Sequence, residues 1–493
     1  MQPDPTVRQD PVMHHQQIRW RPTNQLRPYA RNARTHSKKQ ISQIAESIRR
    51  FGFTNPVLVS GDDEIIAGHG RVEAAKLIGM RDVPTLALDH LSADERRAYV
   101  LADNKLALNA GWDQETLAIE LQGLIEVEFD LELTGFSLAE IDLVLDHAAQ
   151  SSPDPRSSVP DAADDRLPSP LPAPVTRPGD LWQLGRHRLI CGDARLPDTY
   201  ARLLGGERVD LVFTDPPYNV PIDGHVSGLG AVKHREFAFA SGEMSEAQFT
   251  AFLTESLGAM AMHCRDGAIA FVCMDWRHMR ELLAAGSAVF TELKNLCVWN
   301  KTNGGMGAFY RSKHELVFVW KVGTAPHTNS FGLGDTGRYR TNVWDYAGIS
   351  SISATRGEEL EMHPTVKPVV LVADAIKDCS RRGEIVLDGF GGSGSTLIAA
   401  EKTGRVARLV ELDRQYCDTI LQRYQAFTGK QPILLAEAAA DGAATVSFAG
   451  KAAKAFEDIA QDRGVRLPDR PVEPALKKSP TRRLSINARE QSK

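Results

Sequence analysis

Between residues 179 and 430 short, continuously apolar runs alternate with longer stretches of helical periodicity. Runs 209–214, 268–273, 295–299, 315–320, 384–388 and 406–411 are too short and too evenly apolar for amphipathic helices, and predict buried strands. Stretches 245–264, 276–286, 366–381 and 394–403 predict the helices between them. This alternation predicts an α/β fold, a sheet with helices on both faces. The front of the chain reads differently. Ile41, Ile44 and Ile48 give a helix one apolar face, and Gly52 stops it. Pro56-Val57-Leu58-Val59 and Glu64-Ile65-Ile66-Ala67 flank a Gly61-Asp62-Asp63 turn as a hairpin, and Gly68-His69-Gly70-Arg71 opens a helix over 72–80. A small α+β module is predicted there.

Eight prolines in 151–178, with Ser, Asp and Ala and no apolar periodicity, predict an extended, semi-rigid linker. The expected organisation is a disordered N-terminus 1–17, a first module 18–149 with a helical extension, a linker 150–178 and a larger module 179–430. A tail 431–493 follows, largely disordered apart from a short helix near 449–462. No internal repeat is visible.

At 493 residues the chain is too long for one core, which agrees with two folded modules. No apolar run approaches a membrane span, and the polar N-terminus lacks the apolar stretch of a signal peptide. A cytoplasmic protein with no membrane partner is expected. Cysteines 191, 264, 273, 297, 379 and 417 are scattered with no close pair, which argues against a zinc site or a disulfide framework, so no metal is expected. The net charge of −5 gives no global sign of nucleic acid, but its distribution does. Nine Arg and Lys residues face one acid, Glu46, between Arg19 and Arg50, and a second basic cluster runs from Lys477 to Lys493. Such runs are solvated faces or phosphate contacts.

Asp215-Pro216-Pro217-Tyr218 follows the strand 209–214 directly. An acid, two rigidifying prolines and an aromatic ring thus emerge at a strand's carboxyl end, where open α/β sheets bind ligands. A turn that merely closes the strand is the alternative. The later strand 384–388 runs into Gly389-Phe390-Gly391-Gly392-Ser393-Gly394-Ser395-Thr396 and then a helix. Gly389, Gly391 and Gly394 fit G-x-G-x-x-G, which lets a ligand approach the backbone at a helix N-terminus. The next strand ends in Glu411, 23 residues after Asp388, placed to accept from ribose hydroxyls. These glycines alone suit a nicotinamide enzyme nearly as well, although nothing in the chain supplies hydride-transfer partners.

The tetrapeptide resembles the catalytic signature of the DNA amino-methyltransferases, and Asp-Gly-Phe-Gly-Gly-Ser-Gly at 388–394 resembles their S-adenosylmethionine (AdoMet) loop. His363-Pro364-Thr365-Val366-Lys367-Pro368 resembles the element that precedes that loop in the same family. The catalytic strand comes first and the cofactor loop last, an order similar to the β group of these enzymes, over residues 180–428. The resemblance implies a Rossmann-like AdoMet-dependent methyltransferase sheet divided into a catalytic half 179–320, a target-recognition segment 321–362 and an AdoMet half 363–430. It implies that Thr365 and Lys367 meet the methionine end of the cofactor and that Asp193, in Gly192-Asp193, lies near its adenine. Asp388, Phe390, Gly391, Gly394, Ser395, Thr396 and Glu411 complete the implied cofactor set.

On this resemblance Asp215 and the carbonyl of Pro216 would accept the two hydrogens of the target amine, Pro217 would stiffen the turn, and Tyr218 would stack on the flipped base. Asp in first position favours adenine N6; Ser there is commoner in cytosine-N4 enzymes of this order. A cytosine-N4 enzyme, or a DNA-binding regulatory protein with an inert methyltransferase half, stand as alternatives. Residues 219–243 with Lys233 and Arg235, and the irregular stretch 321–362 with Arg338, Arg340 and Arg356, are candidate DNA contacts; Trp344 and Tyr346 read equally as core.

The front module, over 18–110, resembles the N-terminal domain of ParB-like proteins, which bind nucleotide there. Gly68, Gly70 and Arg71 are the implied phosphate cradle. Gly-His-Gly-Arg departs from that family's usual Gly-Glu-Arg-Arg, so a docking domain without a ligand remains the alternative to a nucleotide partner. No helix-turn-helix is legible behind it. Double-stranded DNA is the expected substrate, and a homodimer is an open option.

Overall fold

Local sequence signals start and stop the elements of the computed structural model, which describes residues 17–127, 129–151, 164–220, 242–301, 310–331, 340–348, 366–437 and 454–467. The chain divides into two compact units, Met1–Asp161 with Asn329–Arg340, and Ala162–Thr328 with Thr341–Lys493.

In the first unit the order is β1 (Arg19–Pro22), α1 (Lys38–Phe51), β2 (Val57–Val59), β3 (Ile65–Ala67), α2 (His69–Leu77), β4 (Asp82–Ala87), α3 (Ala93–Asn109), α4 (Gln114–Glu126) and α5 (Leu138–Ser151). Ser37 caps α1 by accepting from the Gln40 N–H, and Gly52 ends it at φ 82°. The strands form a sheet in the order β1-β4-β2-β3. Its core joins Leu26, Val57, Val59, Ile65, Val72, Ala75 and Val83, so the hairpin and the first turns of α2 share one apolar centre.

The second unit runs β5 (Leu181–Leu184), β6 (His187–Cys191), α6 (Pro197–Leu204), β7 (Val209–Thr214), α7 (Glu246–Ala261), β8 (Cys264–Met274), α8 (Met279–Val289), β9 (Glu292–Asn300), β10 (His314–Lys321) and β11 (Val343–Asp345). It continues with α9 (Val369–Cys379), β12 (Ile385–Asp388), α10 (Ser395–Thr403), β13 (Val406–Glu411), α11 (Arg414–Thr428), β14 (Ile433–Ala436), β15 (Lys454–Ala455) and α12 (Phe456–Asp462). Among the described residues one sheet takes the order β11-β9-β10-β8-β7-β12-β13-β6-β5-β14-β15. Strands β8, β7, β12, β13 and β6 are mutually parallel. Along β7 and β8 successive side chains enter opposite cores. Val212, Ala270 and Val272 meet Phe249, Leu253 and Leu282 on one face. Leu211, Phe213 and Phe271 meet Val372, Ile376 and Ile398 on the other. Helices therefore cover both faces, the doubly wound arrangement the alternating pattern predicts.

Two expectations change. The segment expected as the end of a linker is packed from Asp164 onward. Leu171 and Val175 are buried in the core with Trp182 and Tyr424, and Asp418 accepts from the Val175 and Thr176 N–H groups at 2.6 and 2.9 Å. Prolines lack donors but still bury carbon, so a Pro-rich strap can lie on a core where a few apolar side chains anchor it. The stretch expected as a largely disordered tail likewise adds β14, β15 and α12, with Phe456 and Ile459 buried beside Trp182. The expected helix near 449–462 is observed over Phe456–Asp462.

Candidate active site

From β7 the chain crosses to β8 on one side, and from β12 it crosses to β13 on the other, while β7 and β12 are hydrogen-bonded neighbours. The sheet thus reverses its direction of winding between them, and the crevice beyond their carboxyl ends is where a doubly wound sheet receives ligands. The turn after β7 carries Asp215 to Tyr218, and the turn after β12 carries Gly389 to Gly394. Both line a single cleft, partly open to solvent, together with Asp193, Phe252, Lys367, Glu411 and Tyr416.

The glycine loop is braced from within. Asp388, 4% exposed, accepts from the Thr214 hydroxyl at 3.0 Å, the Phe390 N–H at 3.0 Å and the Thr396 hydroxyl at 2.7 Å. It ties the end of β7 to the start of α10. Gly394 caps α10 at φ 86°, a conformation costly for any side chain. At Gly389 a Cβ would come within 2.7 Å of the Met260 sulfur. Glu411 accepts from the Gly392 and Asp413 N–H groups, each at 2.7 Å. Burial pushes both the Asp388 and the Glu411 carboxyl up to about 7, against the lowering effect of those hydrogen bonds.

Asp215 belongs to a cluster of four charged side chains, with Lys367, Glu315 and Lys301. The Lys367 ammonium donates to Asp215 Oδ2 at 2.6 Å and to the Tyr218 hydroxyl oxygen at 3.0 Å, and pairs with Glu315 Oε2 at 2.8 Å. Those three acceptors use all its hydrogens. The Tyr218 hydroxyl donates to Asp215 Oδ1 at 2.6 Å. Lys301 bonds the other oxygen of Glu315 and lies over the Trp299 ring at 4.6 Å. Burial works against its charge, yet Asp215 and Glu315 hold the pKa of Lys367 above its ordinary value. Glu315 is likewise opposed by burial, but Lys367 and Lys301 keep its carboxyl well below the usual range. Asp215 is raised, first by burial and then by Glu315, with Lys367 opposing. The geometry therefore places Lys367 in the cleft wall on the Asp215 carboxylate, whereas the resemblance implied the methionine end of a cofactor.

Of the other expected cofactor residues, Phe390, Gly391, Ser395 and Thr396 line the cleft, whereas Gly394 stands behind it. Asp193 lines it too, with its carboxylate clamped by the Arg195 guanidinium at 2.6–3.1 Å. Thr365 lies outside the described residues, as do Lys233, Arg235, Arg338 and Arg356. Arg340 is half-buried and does not line the cleft. Trp344 is buried in the core and Tyr346 donates to Asp374 at 2.6 Å, so both are packing residues. Sequence reasoning missed Glu315 and Lys301. The signal for Glu315 was faint, a single carboxylate opening the apolar run Leu316–Trp320.

In the first unit Gly68, Gly70 and Arg71 line a cleft with Arg34, His36 and Asp103. Gly68 caps α2 at φ 101°, and the Arg71 guanidinium folds over it, 2.9 Å from where a Cβ would stand.

The cleft suits AdoMet on its own chemistry. Glu411 is a buried acceptor at the end of the strand next to the glycine loop, and the walls offer Phe252 and Phe390 to an apolar or aromatic group, their rings 5.9 Å apart. A DNA methylase family model, that of the N6 and N4 methyltransferases, matches residues 209–422. A ParB N-terminal domain model matches 8–105, and a ParB-methyltransferase HTH domain model matches 115–178. The last match corrects the reading that no helix-turn-helix follows the front module. That reading failed because α4 and α5 carry no Lys or Arg, the usual cue for a DNA-reading helix. The ParB-like nuclease domain-containing protein YnaK of Escherichia coli K12 is 51% identical over 80 residues, covering 16% of this chain and 92% of that protein. Type II methyltransferase M2.MboI of Moraxella bovis is 22% identical over 229 residues, covering 45% of this chain and 82% of its own. The solved structure of the M1.HpyAVI–SAM complex aligns over 48% of this chain and 97% of that one, at 18% identity and a TM-score of 0.36. Motif order, cleft and sequence matches agree on what the chain carries, an AdoMet-dependent DNA methylase domain of the N6/N4 kind behind a ParB N-terminal domain and a ParB-methyltransferase HTH domain.

Proposed function

We propose that the protein transfers a methyl group from AdoMet to the exocyclic N6 of adenine in double-stranded DNA, after the base leaves the helix. The adjacency of the Asp215 turn and the glycine loop at the reversal point of the sheet carries this reading most directly. The cofactor supplies an electrophilic methyl group. The amine to be methylated is a poor nucleophile, because its lone pair is delocalised into the ring. Asp215 would accept one amino hydrogen and the Pro216 carbonyl the other, which favours a pyramidal nitrogen with its lone pair aimed at the methyl carbon. Each Asp215 oxygen holds one donor, leaving acceptor capacity for the amine. Pro217 stiffens the turn, and Tyr218 stacks on the base, a contact worth roughly 1–3 kcal/mol. Methyl transfer leaves a positive charge on the amine nitrogen, which then sheds one proton, with Asp215 the nearest anionic acceptor.

Asp193, Thr365, Lys367, Asp388, Phe390, Gly391, Gly394, Ser395, Thr396 and Glu411 are assigned to building or lining the cofactor half. Lys233, Arg235, Arg338, Arg340 and Arg356 are assigned to DNA. Functional boundaries at 18–149 and 179–430, a cytoplasmic location and a homodimer belong to the same reading.

Incubation of the full chain with AdoMet and mixed duplex DNA, followed by mass spectrometry of the nucleosides, tests the reaction. N6-methyladenine is expected, and none with Asp215→Ala, which retains AdoMet binding. N4-methylcytosine would reverse the base while keeping the mechanism, and undiminished turnover by Asp215→Ala would sink it. At Gly68, Gly70 and Arg71 a nucleotide phosphate is proposed. Calorimetric titration with CTP, ATP and GTP should give heat with at least one and none with Arg71→Ala; no heat with any of the three would refute the site.

A further inference from the structure

The methyl-transfer reading uses Asp215 and Tyr218 and leaves a buried carboxylate unexplained. Glu315 sits near the start of β10, 8% exposed, and its strand neighbours Leu316 to Trp320 are all buried apolar residues. A charge in such a place is costly unless paired, and Glu315 is paired twice, to Lys301 through Oε1 and to Lys367 through Oε2. Its Oε2 also accepts from the Tyr218 hydroxyl at 3.2 Å, so that one proton lies between Asp215 and Glu315.

Resting on that reading, we infer that Glu315 is a positioning residue for methyl transfer. It takes a share of the Lys367 ammonium and of the Tyr218 hydroxyl, and so keeps Asp215 a strong acceptor for the target amine. Two carboxylates and two ammoniums balance in the cluster. Without Glu315, Lys367 would rest on Asp215 alone and quench the negative charge the amine needs, while Lys301 would be left without its carboxylate. The groups facing Asp215 are Lys367 at the entry to α9, Glu315 from β10, Cys273 from β8, Asp388 from β12 and Tyr218 from its own turn. Removing the charge of Glu315 removes one of the influences that raise the Asp215 carboxyl, so the acid limb of the reaction should move to lower pH. The rate should fall with it, because a weaker base accepts the amine's hydrogen less well.

The test compares wild type, Glu315→Gln, Glu315→Asp and Asp215→Ala as full chains, with AdoMet and unmethylated genomic DNA. It reads kcat against pH, and AdoMet affinity by calorimetry. Glu315→Gln is expected to lose on the order of a hundredfold in kcat, with unchanged AdoMet affinity and an acid limb displaced to lower pH. Glu315→Asp keeps the charge with a shorter reach, and should return the limb to its wild-type position while kcat stays below wild type. Wild-type kcat and limb in Glu315→Gln overturn the inference. Should Glu315→Gln lose AdoMet binding, Glu315→Asp decides, and a wild-type kcat in that variant overturns it equally. Activity surviving in Asp215→Ala would instead remove the underlying reading, so the two failures are separable.

Discussion

Glu411 holds two backbone N–H groups and is 9% exposed. With its carboxyl pushed up to about 7, it carries a proton across much of the range in which an ordinary glutamate is ionised. Ribose hydroxyls donated to it favour the charged form, so AdoMet binding should expel that proton. Affinity is therefore expected to strengthen as pH rises toward about 7 and to level off above it. Calorimetry in buffers of different ionisation enthalpy checks this through the proton released, and Glu411→Gln should remove the pH dependence while weakening binding. In the ligand-free protein the sign is opposite. Asp388 and Glu411 both retain protons in the fold that the unfolded chain loses, so their contribution to stability is full below the ordinary carboxylate pKa. It is lost as pH rises through about 7. Asp215 and Glu411 were legible as single letters after apolar runs. Glu315 was not, because a strand's register, and not its composition, decides which of its side chains meets the Asp215 turn.

Among the elements, the strap 164–176 and the two helices α4 and α5 were the hardest to read. Four prolines conceal the strap, yet its few anchors reach the site. Asp165 accepts from the Val369 N–H at 2.9 Å, at the start of the helix that follows Lys367. Arg423, 3% exposed, lies near Asp165 and donates to the Ser393 carbonyl at 2.9 Å. The glycine loop and the Lys367 element are thus steadied from one point, and without Asp165 the buried Arg423 guanidinium would lose its carboxylate partner. Helices α4 and α5 pack through Leu117, Leu121, Ile141 and Val144. Between residues 111 and 151 there are ten Asp and Glu and no Lys or Arg. A surface of that sign repels phosphate, so this helix pair should contribute nothing to the electrostatics of duplex binding. Replacing the exposed Glu115, Glu120 and Glu126 by Gln is expected to strengthen non-specific duplex affinity. The measurement is fluorescence anisotropy between 50 and 200 mM salt, concentrations chosen around the strong salt dependence of such binding. Weakened binding would show that these helices do touch DNA.

At the scale of the whole molecule, the alternation of short apolar runs was enough to place β7, β12 and β13 and to foresee helices on both faces of the sheet. Periodicity reports burial on one face or two and says little about edges. Strands β14 and β15 therefore went unseen, since they are short and partly exposed, β14 being held by a distant partner, β5, and β15 by β14. The same long-distance pairing governs how the protein is made. Strand β7 can pair with β8 soon after synthesis, but its other neighbour, β12, lies about 170 residues later, and β13 must still follow to complete the cofactor side. At roughly 5–20 residues per second, translation leaves the edge of β7 uncovered for on the order of ten to thirty seconds. During that time the Asp215 turn has no glycine loop beside it, so a ribosome-bound chain holds the carboxylate proposed to receive the amine but not the loop proposed to receive the cofactor. A chain cut short anywhere before β12 therefore keeps an open parallel edge and only half of the cleft, and on the proposed reading it transfers no methyl group.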